Sequence, residues 1–250
     1  MIHSFLLIGQ SNMAGRGALT EAASVEKANL RVLRNGLWTG FFRPVNPDRA
    51  FSGVSLAESF ADAYAKKYGV KVGLIPCADG GTSLDQWKEG SILYDNAVFQ
   101  ARLAARSSTV AGILWHQGES DCAPELYSTY RERFEKMIAA MRRDTGLYDV
   151  PVIVGGLGDF LSDCKHSDLL VNYGHINDAL KSVAENDKNV GFASAEGLGA
   201  NPDNLHFSAA ALHEFGLRYF EKYEEICDRE KLFTNTSSEE STSRSAMELL

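Results

Sequence analysis

Apolar residues along this chain follow two rhythms. Short, near-continuous runs such as Val70-Lys71-Val72-Gly73-Leu74-Ile75-Pro76 and Val110-Ala111-Gly112-Ile113-Leu114-Trp115 alternate with longer stretches of helical period. Runs this apolar fit strands buried on both faces, and helices between them make the pattern of a parallel sheet covered on both sides. Five strands are predicted, at about 3–8, 70–76, 110–116, 151–156 and 190–194, with a weaker one at Leu30 to Leu33. Leu56, Phe60 and Tyr64 share one face of a helix that Gly69 stops. Pro124 opens a long helix that carries Tyr127, Phe134, Ile138 and Met141 and ends at Gly146. Further helices are predicted near 95–106, 168–185 and 208–226. The expected fold class is therefore α/β, a three-layer α/β/α arrangement around a mostly parallel five-stranded sheet.

A chain of 250 residues can bury one substantial core, and no internal repeat or Pro-rich linker divides it. Composition shifts only near residue 228. From Thr234 to Met247 Ser, Thr and Glu dominate, which leaves too little apolar surface to offset the entropy of ordering. The chain reads as one domain over 1–228 followed by a flexible tail over 229–250.

The formal net charge is −8, with 25 basic residues scattered among 33 acidic ones. A nucleic-acid surface needs a basic patch, so no nucleic-acid partner is expected. The run Phe5 to Ile8 is too short for a signal segment and follows no basic residue, and no run approaches a membrane span. A cytoplasmic protein without a membrane partner is expected; the sequence leaves its oligomeric state open. Cys77, Cys122, Cys164 and Cys227 suit reduced thiols better than a disulfide framework, and their spacing matches no zinc motif.

Polar clusters follow most of the predicted strands. Gln10-Ser11-Asn12 follows the first, Asp79-Gly80-Gly81-Thr82-Ser83-Leu84-Asp85-Gln86-Trp87 the second, His116-Gln117-Gly118-Glu119-Ser120-Asp121 the third and Asp203-Asn204-Leu205-His206 the fifth. Parallel topology brings such ends to one edge of the sheet, where open α/β sheets bind their ligands. Ser11 is the candidate nucleophile, and a serine hydroxyl needs a base to act as one. His206 is the candidate general base, with Asp203, three residues earlier, orienting its ring. The alternative is a plain helix N-terminal turn, with Asp203 as the cap and His206 on the surface.

The N–H of Ser11 and an N–H of the Gly80-Gly81 pair are candidates for holding an oxyanion, with the Gln117 amide as a side-chain donor. An ordinary strand-to-helix turn is the alternative for Gly80-Gly81. Gln10, Asn12, Trp87, His116 and Glu119 are expected to touch substrate or to support the site. Trp87 and Trp38 fall in loops where an aromatic can wall a pocket, with sugar stacking a candidate role for Trp87, whereas Trp115 ends a buried strand. Arg16 is either a ligand contact or a surface residue. A metal site built from His116, Glu119, Asp121 and His206 is a rival arrangement, although no H-E-x-x-H spacing supports it.

Together these motifs, Gly-Gln-Ser-Asn-Met-Ala-Gly at 9–15, Gly-Gly-Thr-Ser-Leu with Trp at 80–87, Trp-His-Gln-Gly-Glu-Ser-Asp at 115–121 and Asp-Asn-Leu-His-Phe-Ser at 203–208, resemble the sialate O-acetylesterase family. That family is related to the acetylxylan esterases of carbohydrate esterase family six, within the SGNH hydrolase superfamily. The resemblance runs from about residue 2 to 225. It implies a flavodoxin-like fold and a serine esterase that needs no metal or other cofactor and removes acetyl groups from sugars. By the same resemblance Ser11 is the nucleophile, His206 the base and acid and Asp203 its partner. A glycine of Gly80-Gly81, Gln117 and the Ser11 amide complete the oxyanion hole. The G-x-S-x-G elbow is not met, because position 13 is Met. Sialic acid, xylan and other acetylated glycans are all open as substrates, and a catalytically idle carbohydrate-binding protein is a further alternative.

Overall fold

Strand β1 (Ile2–Gly9) is the spine of a seven-stranded sheet in a computed structural model, which describes residues 1–247 and, from 229 onward, the backbone alone. The expected tail over 229–250 lies outside the fully described residues. In chain order the other strands are β2 (Leu30–Arg34), β3 (Leu37–Gly40), β4 (Lys71–Pro76), β5 (Thr109–His116), β6 (Val152–Gly155) and β7 (Val190–Ala193). Their spatial order is β3-β2-β4-β1-β5-β6-β7. The five strongly predicted strands thus take the flavodoxin-like order 2-1-3-4-5 within the set. All pairings are parallel except β2 with β3.

The sheet has seven strands where five were expected. The weak prediction at Leu30 to Leu33 is a true strand, and β3 turns back on it through Asn35-Gly36, both with positive φ (51° and 78°). That pair is the strongest short hairpin signal a sequence can carry. Trp38, expected in a loop, lies on this edge strand; a Cβ on Gly73 would lie 2.5 Å from its ring. Glycine at 73 makes room for the indole.

Among the described residues seven α-helices accompany the sheet: α1 (Ser11–Ala14), α2 (Ala57–Tyr68), α3 (Ile92–Ala104), α4 (Pro124–Tyr127), α5 (Tyr130–Thr145), α6 (Tyr173–Asn186) and α7 (Ala209–Met247). The long helix predicted from Pro124 breaks at Ser128 and Thr129 into α4 and α5. The one predicted from 168 begins as a 3-10 turn over Asp168–Asn172 before α6. Gly69 and Gly146 end α2 and α5 in the left-handed conformation.

Side chains alternate along β1 and so serve two cores. Leu6 and Ile8 pack with α3, α5 and α6, while Phe5 and Leu7 pack with α2 and α7. All four are fully buried, each contributing about 1.5–3 kcal/mol of transfer free energy. Phe5 meets Phe60, Tyr64 and Tyr223 edge-on. Among the described residues no helix is long and apolar enough to cross a membrane. Phe5→Ala is expected to lower the unfolding free energy by about 3–5 kcal/mol. Urea denaturation checks this, and a cost below about 1 kcal/mol would show that the aromatic cluster closes around the gap.

Candidate active site

Gly9 ends β1 with φ of 127°, and a Cβ there would lie 2.1 Å from the carbonyl oxygen of His116. The next residue, Gln10, donates its N–H to that same carbonyl at 2.8 Å. The tips of β1 and β5 therefore touch through backbone alone, and Ser11 opens α1 directly above the contact. β4 flanks β1 on one side and β5 on the other, so Ser11 stands at the topological switch point of the sheet.

Ser11 Oγ lies 3.0 Å from His206 Nε2, and His206 Nδ1 lies 2.7 Å from Asp203 Oδ2. The carboxylate accepts from Nδ1–H, which leaves Nε2 free to accept from the serine hydroxyl. Asp203 Oδ1 accepts the N–H groups of Leu205 and His206, both at 3.0 Å. Its two oxygens thus divide the readings left open by the sequence: one caps the turn, the other orients the ring. Burial raises the Asp203 carboxyl, but bonds from His206 and the two N–H groups outweigh it and hold the group below its ordinary value.

Asn12 ties the loop of His206 to the turn of Ser11. Its Oδ1 accepts from Phe207 N at 3.1 Å, while its Nδ2 donates to Glu119 Oε1 at 2.6 Å and to Leu205 O at 3.2 Å. His116, fully buried, places Nε2 3.2 Å from Gly156 O, so that nitrogen carries the proton. Burial lowers the affinity of the ring for a second proton. His116 supports the site from below and does not face the pocket. Glu119 lines the pocket, with its Oε2 unpartnered.

Asp48 holds the other wall, and nothing in the sequence singles it out. It forms a bidentate pair with Arg16 (3.0 and 2.7 Å) and accepts from Ser52 Oγ at 2.7 Å and from Gly80 N at 2.9 Å. Burial raises this carboxyl, yet the hydrogen bonds from Arg16 and Ser52, the Arg16 charge and Gly80 N–H together pull it below its ordinary value. Arg16 is thus neither a surface residue nor an open ligand contact; its side chain is 5% exposed and its carboxylate partner is internal. Arg49 is paired with Asp79 at 2.8 Å. A Cβ on Gly80 would lie 3.5 Å from Ser11 Cβ and 2.4 Å from the Arg16 guanidinium, so only glycine lets this turn approach Ser11. Because Gly80 N–H is taken by Asp48, the candidate backbone donors left without a partner are those of Ser11 and Gly81.

Two expectations need correction. Gln117 is fully buried, and its Nε2 faces Asp121 Oδ2 (2.6 Å), Thr82 O (3.0 Å) and Gln10 Oε1 (3.3 Å). With both hydrogens engaged it has none to offer an oxyanion. Trp87 is also fully buried; it packs edge-on against Trp115 and donates to Thr82 Oγ1 at 3.0 Å. It props the glycine turn and cannot stack on a sugar. The rival metal set does not converge. Asp121 accepts from Leu84 N, Gln117 and Arg133, while His206 faces Ser11, and among the described residues no group of three metal-ligating side chains assembles.

Above Ser11 opens a cavity of about 380 Å³. Gln10, Arg16, Phe51, Gly81, Leu170 and His206 are among its walls. Phe51 is 70% exposed and lies under the Arg16 guanidinium, 5.3 Å from ring centre to Cζ.

Fold and site together define a class: an α/β protein with a Ser–His–Asp hydrogen-bonded chain at the carboxyl edge of its sheet. The family described as carbohydrate esterase, sialic acid-specific acetylesterase matches residues 1–225, and the chain belongs to it. It is a carbohydrate esterase, a carboxylic ester hydrolase. A probable carbohydrate esterase of Arabidopsis thaliana is 27% identical over 246 residues, covering 88% of this chain and 89% of the relative. An Arabidopsis thaliana protein structure superposes with a TM-score of 0.78 at 26% identity, covering 89% of this chain and 98% of that one. The NanS structure superposes at 0.72 with 18% identity, covering 91% and 98%, and shares the fold.

Asp48→Ala leaves the Arg16 guanidinium buried and unpaired, and is expected to cost about 3–5 kcal/mol in urea denaturation. A carboxyl held below its unfolded value of 3.8 stabilises above that pH and loses the contribution as pH falls through its folded value. The parent's melting temperature should therefore drop from about pH 5 to pH 3, and Asp48→Asn should start lower and fall less. Parallel curves would remove Asp48 from the acid response.

Proposed function

We propose that the protein hydrolyses O-acetyl esters on carbohydrates through an acyl-serine intermediate at Ser11. The observation that carries this reading is the chain from Asp203 through His206 to Ser11, at 2.7 and 3.0 Å, open to a pocket. Ser11 Oγ attacks the acetyl carbonyl carbon while its proton passes to His206 Nε2, and the carbonyl electron pair moves onto oxygen. The N–H groups of Ser11 and Gly81 face that developing charge. Collapse breaks the ester C–O bond. The sugar oxygen leaves with the proton from His206, and acetyl-Ser11 remains. Water then gives a proton to His206 and attacks the acetyl carbon; acetate departs and Ser11 regains its hydrogen. Asp203 fixes the ring's tautomer and stabilises the imidazolium formed in each half.

The pocket bears on the substrate class. Arg16 and Arg49 are both ion-paired within the protein, and Phe51 offers a ring face at the mouth. Such walls suit an uncharged acetylated sugar at least as well as the carboxylate-bearing sialic acids, and acetylxylan is a further candidate. A screen of acetylated monosaccharides and oligosaccharides, with released acetate measured, is expected to give kcat/KM on neutral sugars no lower than on O-acetylated sialic acid. A sialic acid preference of about 100-fold, equivalent to about 2.7 kcal/mol, would contradict that expectation.

Ser11→Ala is expected to abolish aryl acetate hydrolysis, and Asp203→Asn to lower kcat by about 10⁴-fold. An unmodified Ser11 after treatment with a fluorophosphonate, together with sugar binding and no turnover, would instead favour a binding protein on the same fold.

A further inference from the structure

Phe51 differs from the other exposed apolar side chains. Single apolar residues such as Leu37 and Ile92 are ordinary on a protein surface and call for no explanation. Phe51 is 70% exposed, yet it lines the cavity that also reaches Ser11 and His206; among the described residues no other large, well-exposed apolar side chain does. Its turn is fastened on both sides. Arg49 N donates to Ser52 Oγ at 3.0 Å and Ser52 N donates to Arg49 O at 3.1 Å, while the Asp48 carboxylate accepts from Arg16 and Ser52. Just beyond, Gly53 N and Val54 N donate to Gly15 O and Gly17 O at 2.9 and 2.8 Å, which joins the turn to the segment after α1. The ring is therefore presented at the pocket mouth on a braced support.

The Arg16 guanidinium, fixed by Asp48, lies over one face of that ring with its Cζ 5.3 Å from the ring centre. A cation already in place repels a second positive charge on the ring, so the exposed remainder suits an uncharged, apolar surface. A pyranose has one, because its C–H bonds form an apolar face while hydroxyls line its edge. We propose that Phe51 is the platform on which a neutral pyranose packs its C–H face, and so the residue that makes the site favour acetylated sugars over simple acetate esters. This rests on the carbohydrate acetylesterase reading. Ser120, His166 and Ser167 line the same cavity and can exchange hydrogen bonds with the hydroxyl edge. An apolar contact with a few polar groups around it is the usual make-up of a small-molecule site. Buried Trp87 cannot fill this role, and Phe51 can.

The test compares Phe51→Ala and Phe51→Tyr with the parent on acetylated xylobiose and on ethyl acetate, which has no ring to stack. For Phe51→Ala, the ratio of kcat/KM between sugar and ethyl acetate should fall about 10-fold, equivalent to about 1.4 kcal/mol. The loss should lie in KM for the sugar, with kcat within about threefold, because the platform holds the bound sugar and the transition state alike. Phe51→Tyr keeps a ring and should hold the ratio within about threefold of the parent. A damaged turn would instead lower both substrates together. That outcome, an unchanged ratio for Phe51→Ala, or a Phe51→Tyr variant as poor as Phe51→Ala would each overturn the proposal. A parent without activity on acetylated xylobiose would overturn the neutral-sugar reading and the platform with it. Ser11→Ala, run in parallel, separates the mechanism: if it keeps turning over, the acyl-serine intermediate falls while the ratio still decides for or against Phe51.

Discussion

The contact between the tip of β1 and the tip of β5 governs the rest of the site. Gly9 lies against the His116 carbonyl so closely that no side chain fits, and Gln10 donates to that same oxygen. Everything functional hangs from this junction. It sets Ser11 at the first position of α1, brings Gln10 within reach of Gln117 and places Asn12 where it can grip Glu119 and Phe207 N. A shift of the two strands by a single residue would turn each of these side chains to the other face of the sheet. The two buried cores on either side make such a shift costly, since Leu6 and Ile8 would exchange places with Phe5 and Leu7.

Three carboxylates around the junction gather their partners into sets. Asp48 gathers Arg16, Ser52 and Gly80 N; Asp121 gathers Gln117, Leu84 N and Arg133; Asp203 gathers His206 and two N–H groups. Asp48 and Asp121 draw together segments far apart in the chain, and each would be expensive to bury without its partners. The result is rigidity where the chemistry requires position to within a fraction of an ångström. Aromatic side chains complete the support, with Trp87 holding Thr82 and Thr82 in turn accepting from Gln117.

The parts that were legible in the sequence are those fixed by local pattern. Near-continuous apolar runs marked the five strands of the central order, and the short spacing of Asp203 and His206 within one turn allowed their pairing to be read directly. The hairpin of β2 and β3 was also written in Asn35-Gly36, but a four-residue edge strand with little burial carries a weak apolar signal. Asp48 was not legible, since its meaning depends on an ion pair with a residue 32 positions away and on a glycine N–H across the pocket. Trp87 misled because loops flanking a site hold both pocket walls and buried props, and only burial separates them. Gln117 misled for a related reason: a chain gives the residue type, while hydrogen-bond partners decide whether its donors are free.

That distinction between engaged and free donors connects stability to catalysis here. Near Ser11 the fold satisfies the acceptors of Asp48 and Asp203 and the donors of Gln117 and Gly80, yet leaves the N–H groups of Ser11 and Gly81 without protein partners. Each unpaired donor in a partly desolvated pocket is a local loss for the folded state. The same group, already oriented, can meet a developing negative charge with no reorganisation, whereas water would have to rearrange around it. A satisfied donor has no such capacity, because it must first break the bond it has. Engaging Gly80 through Asp48 and Gln117 through Asp121 therefore narrows the unpaired donors beside the serine whose Oγ lies 3.0 Å from His206 Nε2.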